Sequence, residues 1–159
     1  LRVLLQSNVP LGSGVASSAA VEVATMRALM GAFNLELDGL EVARLCQKAE
    51  NLVVGAPCGI MDQVTCALGE AGKLVALRCQ PHDVLGLHSL PSGLRVMGIK
   101  SGVKHSVGGA RYARARVGAF MGLKILSGEN GGNNWGGYLT RITPEDFRLK
   151  WCHLLRSRI

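Results

Sequence analysis

A short loop of small residues has the composition of a phosphate-binding cradle: Pro10-Leu11-Gly12-Ser13-Gly14-Val15-Ala16-Ser17-Ser18. Its two glycines can adopt positive φ and carry no Cβ, so backbone N–H groups can converge on an anion. The two closing serines fall at the predicted start of a helix, where unpaired N–H donors and the positive dipole end favour a phosphate. The same loop could simply join a strand to an N-capped helix, and local sequence leaves both interpretations open.

Two carboxylates follow this loop and have the side-chain chemistry that phosphoryl transfer requires. Glu50 lies in Gln47-Lys48-Ala49-Glu50-Asn51, and Asp62 lies in Cys58-Gly59-Ile60-Met61-Asp62-Gln63. Transfer from ATP needs a cradle, oxygen ligands for Mg²⁺, and a carboxylate that accepts or orients the proton of the attacking hydroxyl. Each residue also has a structural alternative: Glu50 could bond backbone N–H groups at a helix end, and Asp62 could cap the helix it begins.

Taken together, these segments resemble the GHMP kinases, and within them the galactokinase-type sugar kinases. The resemblance lies in the P-x-G-x-G-x-x-S-S-A loop and the C-G-I-M-D-Q segment, and it covers roughly residues 1–155. The loop is not a Walker A motif, because it lacks the lysine of G-x-x-x-x-G-K-[ST]. The run 102–112 and the segment 137–139 are more similar to the L-arabinokinases than to ordinary galactokinases.

The resemblance implies an α+β, GHMP kinase-like fold whose N-terminal part is similar to ribosomal protein S5 domain 2, with a mixed sheet and packed helices. Residues 1–90 would form part of the N-terminal, ATP-binding domain. Residues 91–159 would form the truncated start of the C-terminal domain. The galactokinase-type segments that normally precede and follow, with an arginine assisting the base and a glycine-rich nucleotide motif, are absent from this sequence, so we expect the fragment alone to be catalytically poor.

The resemblance also implies site residues. The ATP phosphates would be held by Pro10, Gly12, Ser13, Gly14, Ser17 and Ser18. Ser18 and Glu50 would bind Mg²⁺, Asp62 would be the catalytic base that also contacts the sugar, and Tyr112 would touch the sugar. Tyr112 could instead be a core residue beside Val117 and Phe120. Ala16 stands where galactokinases usually have serine, which removes one optional hydroxyl.

The implied reaction transfers the γ-phosphoryl group of Mg·ATP to the anomeric hydroxyl of a monosaccharide of the L-arabinose or galactose type. The product is a sugar 1-phosphate. Two alternatives share these motifs: a non-enzymatic regulator that binds ATP and sugar, and a GHMP kinase acting on another small alcohol.

Composition favours a globular protein. The chain has 159 residues, of which 48% are hydrophobic and 18% charged, and no apolar run reaches the roughly 20 residues that span a bilayer. Five cysteines without a C-x-x-C pair indicate reduced thiols and a cytoplasmic location. Cys58, beside the candidate base, would be reactive only if its pKa were lowered.

The net charge of +7 belongs to the second part of the chain. Residues 1–94 carry 6 Lys and Arg against 8 Asp and Glu, whereas residues 95–159 carry 12 against 3. Such a surface could attract nucleic acid. The basic residues are scattered along predicted helices with few aromatic residues, so we expect a solvated helical face and no nucleic acid partner. No membrane partner is expected, and the resemblance implies a small sugar as the partner. The oligomeric state stays open.

Periodicity and end signals predict the elements that must position these residues. Helices are expected over 17–30, from an N-cap at Asp38 to about residue 50, from about Ile60, over 110–126, and from an N-cap at Thr143 to about residue 156. Strands are expected over 2–7, 73–79, 84–90 and 94–99. A loop is expected over 127–137, which is rich in glycine and asparagine.

Overall fold

A computed structural model describes residues 1–99, 101–103, 110–129 and 135–155. The chain divides into two compact units, Leu1–Val107 and Gly108–Ile159. The described part of the first unit contains α1 (Ser17–Phe33), α2 (Gly39–Ala49), a π-helical turn (Glu50–Val54), α3 (Met61–Leu68), β1 (Lys73–Arg78) and β2 (Asp83–Ser89). Helices and a small antiparallel sheet in one unit confirm the predicted α+β class.

The core of the first unit lies where α1, α2 and α3 pack against one another. Small side chains let the helices approach closely, and each helix buries the residues that recur at helical spacing. Met26, Leu40 and Val75 pack around this core from the neighbouring surface. The buried members are Val23, Val42, Ala43, Cys46, Ile60, Val64 and Ala67.

Two local features fix the ends of these helices. Asp38 is the N-cap of α2, as predicted, and it forms a capping box in which Glu41 N–H donates to Asp38 Oδ1 at 2.8 Å and Asp38 N–H donates to Glu41 Oε2 at 2.9 Å. At the far end of α3, the guanidinium of Arg27 donates to the carbonyl oxygen of Ala67. This bond ties α1 to the last turn of α3, where carbonyl groups lack intrahelical donors.

The sheet consists of β1 and β2, paired antiparallel from Lys73 opposite Ser89 to Arg78 opposite Asp83. The strands predicted over 73–79 and 84–90 are therefore confirmed. The register shifts between Ala76 and Leu77, across from Gly86 with a φ of 139°. A glycine accepts this conformation at a strand irregularity without steric cost.

Two strand predictions are wrong. Residues 2–7 and 94–99 have no regular structure, and their apolar side chains are exposed, with Leu4 93% exposed. A strand needs a neighbouring strand for its N–H and C=O groups. In the described ranges β1 and β2 pair only with each other, so neither segment has a strand beside it.

The second unit is mainly helical where it is described. It contains α4 (Ala110–Glu129), 3₁₀ turns at Trp135–Gly137 and Leu139–Arg141, α5 (Pro144–Asp146), a π-helical turn (Phe147–Trp151) and a 3₁₀ turn (Cys152–Leu154). The helix predicted over 110–126 is confirmed and extends to 129, where a loop was expected. The Thr143 cap is confirmed, since its hydroxyl accepts from Asp146 N–H at 3.1 Å. The final helix is confirmed as an uninterrupted helical stretch over 144–154, although it changes from α to π to 3₁₀ geometry along its length.

Some predictions lie outside the described residues. These are positions 104–109 of the run that is similar to L-arabinokinases, positions 130–134 of the expected loop, and the end of the last helix at 156. None of the helices found in the described ranges has the length and apolar character needed to cross a bilayer.

Candidate functional site

The glycine loop adopts the backbone conformation that the sequence predicts. Gly12 has a φ of 65° and Gly14 a φ of 71°, both in the left-handed region. A side chain at either position would be strained by this conformation, although no atom stands where a Cβ would lie. The loop is therefore open on the side that a Cβ would occupy, as a backbone cradle for an anion requires.

The start of α1 has no side-chain cap. Its N-cap, Ala16, is left-handed with a φ of 58°, and no side chain bonds to the first backbone N–H groups. Those N–H groups have no intrahelical acceptor. Ser17 is half-buried and Ser18 is exposed on this first turn. The helix thus begins with unpaired donors and two hydroxyls directly after the glycine loop.

Glu50 is a buried carboxylate, with 6% of the residue exposed. It begins the π-helical turn after α2, and its Oε2 accepts from Gln63 Nε2 at 2.6 Å and from Cys58 Sγ at 3.2 Å. Both donors are side chains. The alternative in which Glu50 bonds backbone N–H groups at a helix end is therefore not what the structure shows.

The Gln63 amide also reaches α1. Its Nε2 donates to Glu22 Oε2 at 3.2 Å, so one amide nitrogen joins two carboxylates. Burial raises the pKa of the Glu22 carboxyl, the hydrogen bond from Gln63 opposes this rise, and the negative charge of Glu50 adds to it. We call Glu22, Glu50, Cys58 and Gln63 the carboxylate cluster.

Asp62 lies in the first turn of α3 and is exposed. The N-cap of α3 is Ile60, and no side chain caps this helix. The Asp62 carboxylate makes no hydrogen bond within the described part of the chain. The alternative in which Asp62 caps its own helix is not what the structure shows, and its carboxylate is available to a ligand.

The structure brings the predicted carboxylates to one end of α3. Gln63, next to Asp62, bonds Glu50, and through Glu22 it reaches α1. Ser18 and Glu22 are four residues apart, so they lie on the same face of α1, one turn apart. No hydrogen bond joins loop residues 10–16 to Glu50 or Asp62, all of which the structure describes. Tyr112 lies on α4 in the second unit, with 37% of the residue exposed.

Sequence reasoning missed Glu22 and Gln63 as members of the site. A signal for Gln63 exists: Ile60, Gln63, Val64 and Ala67 follow the i, i+3, i+4, i+7 spacing of a buried helix face, and Gln63 is the one polar residue among them. For Glu22, the bond to Gln63 spans 41 positions in sequence. Periodicity carries no information about such a contact.

Cys58 has the opposite character from a reactive thiol. The pKa of the Cys58 thiol is raised to about 11, chiefly by burial and then by its hydrogen bond to the Glu50 carboxylate and the negative charge there. Burial also raises the pKa values of Cys46 and Cys66. The condition under which Cys58 would be reactive, a lowered pKa, is not met.

We expect Cys58 to be alkylated slowly in the metal-free protein. At pH 8 a thiol with a pKa of about 11 is a thiolate in roughly one molecule in a thousand, and the thiolate is the nucleophile. Iodoacetamide labelling followed by peptide mass spectrometry should show Cys58 modified at least about tenfold more slowly than the exposed Cys79 and Cys152. Equal labelling rates at the three cysteines would contradict a raised pKa for Cys58.

Comparison with known proteins agrees with the motifs. Residues 1–70 match the family described as GHMP kinases N terminal domain. The chain is 51% identical over 145 residues to an L-arabinokinase of Arabidopsis thaliana, covering 84% of this chain and 14% of that protein. It is 41% identical over 124 residues to a galactokinase of Chloroflexus aggregans, covering 78% of this chain and 32% of the galactokinase. A galactokinase of Streptomyces coelicolor is 40% identical over 131 residues, which is 78% of this chain and 33% of that protein.

The chain thus spans about a third or less of these curated relatives. The match over residues 1–70 supports the GHMP kinase-like fold predicted from the sequence. None of these comparisons assigns a role to an individual residue.

Proposed function

We propose that the full-length protein is an ATP-dependent sugar kinase that forms a sugar 1-phosphate, and the match of residues 1–70 to the GHMP kinase N-terminal domain supports this proposal. The sugar would be of the L-arabinose or galactose type, since the related proteins are named L-arabinokinase and galactokinase. The carrying observation is the amide of Gln63, the residue after Asp62, which joins Glu22 of α1 to Glu50. Segments distant in sequence thereby contribute to one end of α3.

The ATP phosphates would be held by the glycine loop and the start of α1. Left-handed glycines at 12 and 14 and the uncapped N–H groups after Ala16 support this assignment. Backbone donors at a helix start suit phosphate because they carry the positive end of the helix dipole. The candidate phosphate-binding residues are Pro10, Gly12, Ser13, Gly14, Ser17 and Ser18.

The residues present fit a magnesium ion that is completed by phosphate oxygens. Within the described residues no group of three or more His, Cys, Asp and Glu side chains could hold a metal alone. Mg²⁺ is commonly bound through one or two carboxylates together with substrate phosphates and water. Ser18 and Glu50 are the candidate protein ligands, and bound Mg²⁺ would neutralise charge on the phosphate oxygens.

Asp62 would act on the sugar. Its exposed carboxylate, without a hydrogen bond in the described part of the chain, can accept the proton of the anomeric hydroxyl. The hydroxyl oxygen then forms a bond to the γ-phosphorus, and the bond from that phosphorus to the oxygen bridging it to the β-phosphate breaks. The products are ADP and the sugar 1-phosphate. Tyr112 is a further candidate for sugar contact.

Other parts of the proposal concern the domain division and location. We assign residues 1–90 to the N-terminal kinase domain and 91–159 to the start of the C-terminal domain. We also propose a cytoplasmic location, because none of the five cysteines, all in described positions, forms a disulfide.

The proposal is tested by a coupled ADP-release assay of the full-length protein against galactose, L-arabinose, galacturonate and glucuronate. We expect turnover with one of these sugars and no turnover with its methyl glycoside, in which the anomeric oxygen cannot accept a phosphoryl group. Turnover with the methyl glycoside would contradict phosphorylation at the anomeric position. Binding of ATP and sugar without ADP release would contradict the enzyme and favour the regulator.

A further inference from the structure

We propose that Gln63 is a positioning residue that fixes the Glu50 carboxylate through the bridge Glu22–Gln63–Glu50. This inference deepens the proposed function and rests on it, because Glu50 is the carboxylate that would hold Mg²⁺. It gives a role to Glu22 and Gln63, for which neither the family motif nor the sequence patterns indicated one.

The amide nitrogen of Gln63 has two hydrogens, and each has a carboxylate acceptor. Nε2 lies 2.6 Å from Glu50 Oε2 and 3.2 Å from Glu22 Oε2. The opposite orientation of the amide would turn its oxygen toward two carboxylates and leave no donor between them. The chemistry of the acceptors therefore fixes which end of the amide faces Glu50.

Packing alone does not explain an amide at this position. Gln63 is fully buried on the face that carries Ile60, Val64 and Ala67, and its Oε1 has no hydrogen-bond partner in the described structure. A leucine of similar size would fill this space without burying an unpaired oxygen. The two hydrogen bonds to carboxylates are charge-assisted and offset that unfavourable contribution.

The bridge leaves one oxygen of Glu50 for a ligand. Gln63 and Cys58 both donate to Oε2, whereas Oε1 accepts no hydrogen bond from the described residues. Glu22 anchors the amide from α1, the helix that begins with Ser17 and Ser18. Gln63 thus sets Glu50 relative to the helix whose first turn would bind phosphate.

The test replaces Gln63 by leucine in the full-length protein. We expect the Mg²⁺ concentration for half-maximal activity to rise about 10–100-fold, the usual effect of removing a residue that orients a metal ligand. The same shift should occur in the Mg²⁺ dependence of binding a non-hydrolysable ATP analogue, measured by calorimetry. Calorimetry separates the positioning role from the chemical step.

Variants of Glu22 and Val64 separate positioning from folding. Glu22→Leu removes the acceptor on α1 and should shift the Mg²⁺ dependence in the same direction as Gln63→Leu. Val64→Ala destabilises the same buried face without touching a polar group. It should lower the melting temperature and leave the Mg²⁺ dependence unchanged.

Two results would overturn the inference. One is a folded Gln63→Leu protein whose Mg²⁺ dependence equals that of wild type. The other is a Val64→Ala protein that shifts as far as Gln63→Leu, which would make the effect one of general destabilisation. Failure of the proposed function looks different: the wild-type protein itself would then release no ADP with any of the four sugars, whatever the Mg²⁺ dependence of nucleotide binding.

Discussion

Replacing Asp62 by asparagine is expected to lower the turnover of the full-length protein about 10²–10⁴-fold, the usual contribution of a general base. Asparagine keeps the size of the side chain and removes its ability to accept a proton. Because Asp62 is exposed and does not cap α3, the change should leave the fold unaltered. Turnover is measured with the sugar identified by the ADP-release screen, and ATP binding is measured by calorimetry and should be retained.

Glu70→Gln is the matched control for Asp62→Asn. Glu70 is an exposed carboxylate just after α3 that pairs with Lys73 at 2.6 Å, and exposed ion pairs contribute little to stability. The turnover of the Glu70→Gln protein should equal that of wild type. Full turnover of Asp62→Asn would refute the role of Asp62 as base. Equal losses in both variants would point to a general effect of removing negative charge.

The helices of this chain could be predicted from sequence because their determinants are local. A helix satisfies its backbone groups within its own segment, and its ends are marked by side chains a few positions away. The Asp38 and Glu41 pair and the Thr143 and Pro144 pair are such signals, and both caps form where predicted. The hairpin of β1 and β2 follows the same logic, since its partners are neighbours along the chain.

The strands predicted over 2–7 and 94–99 do not form, because a strand depends on a pairing partner that local sequence does not specify. Their apolar runs satisfy the side-chain pattern of a strand, but a strand also needs a partner for its backbone. Composition alone does not identify that partner. Leu1, Val3 and Leu4 form an apolar run like that of a strand, yet their side chains are exposed and no described strand pairs with this segment.

The candidate site, too, could be predicted from sequence only where its determinants are local. Motif order singled out Glu50 and Asp62 as candidate site residues, and local glycine chemistry predicted a loop that permits positive φ, which Gly12 and Gly14 adopt. Neither indicated that Gln63 would bond Glu22 on α1. That contact depends on how α1 and α3 pack, which is a tertiary property.

Replacing Glu50 by glutamine is expected to lower kcat/KM about 100-fold, or about 2.7 kcal/mol of transition-state stabilisation. The cause is loss of the negative charge that would hold Mg²⁺. Activity should rise with Mg²⁺ at concentrations that already saturate the wild type. The measurement is steady-state kinetics of the full-length protein across a Mg²⁺ series.

Stability separates this role of Glu50 from a purely structural one. Glutamine retains an oxygen that can accept from Gln63 and Cys58, so the free energy of unfolding should change by less than about 1.5 kcal/mol. Leucine at the same position would leave a buried N–H of Gln63 without its acceptor and should cost about 1–3 kcal/mol. A structural carboxylate would give a Glu50→Gln protein with wild-type kinetics and a destabilised Glu50→Leu protein. That pair of results would remove Glu50 from the proposed metal site, because the charge of its carboxylate would then have no effect on Mg²⁺-dependent turnover.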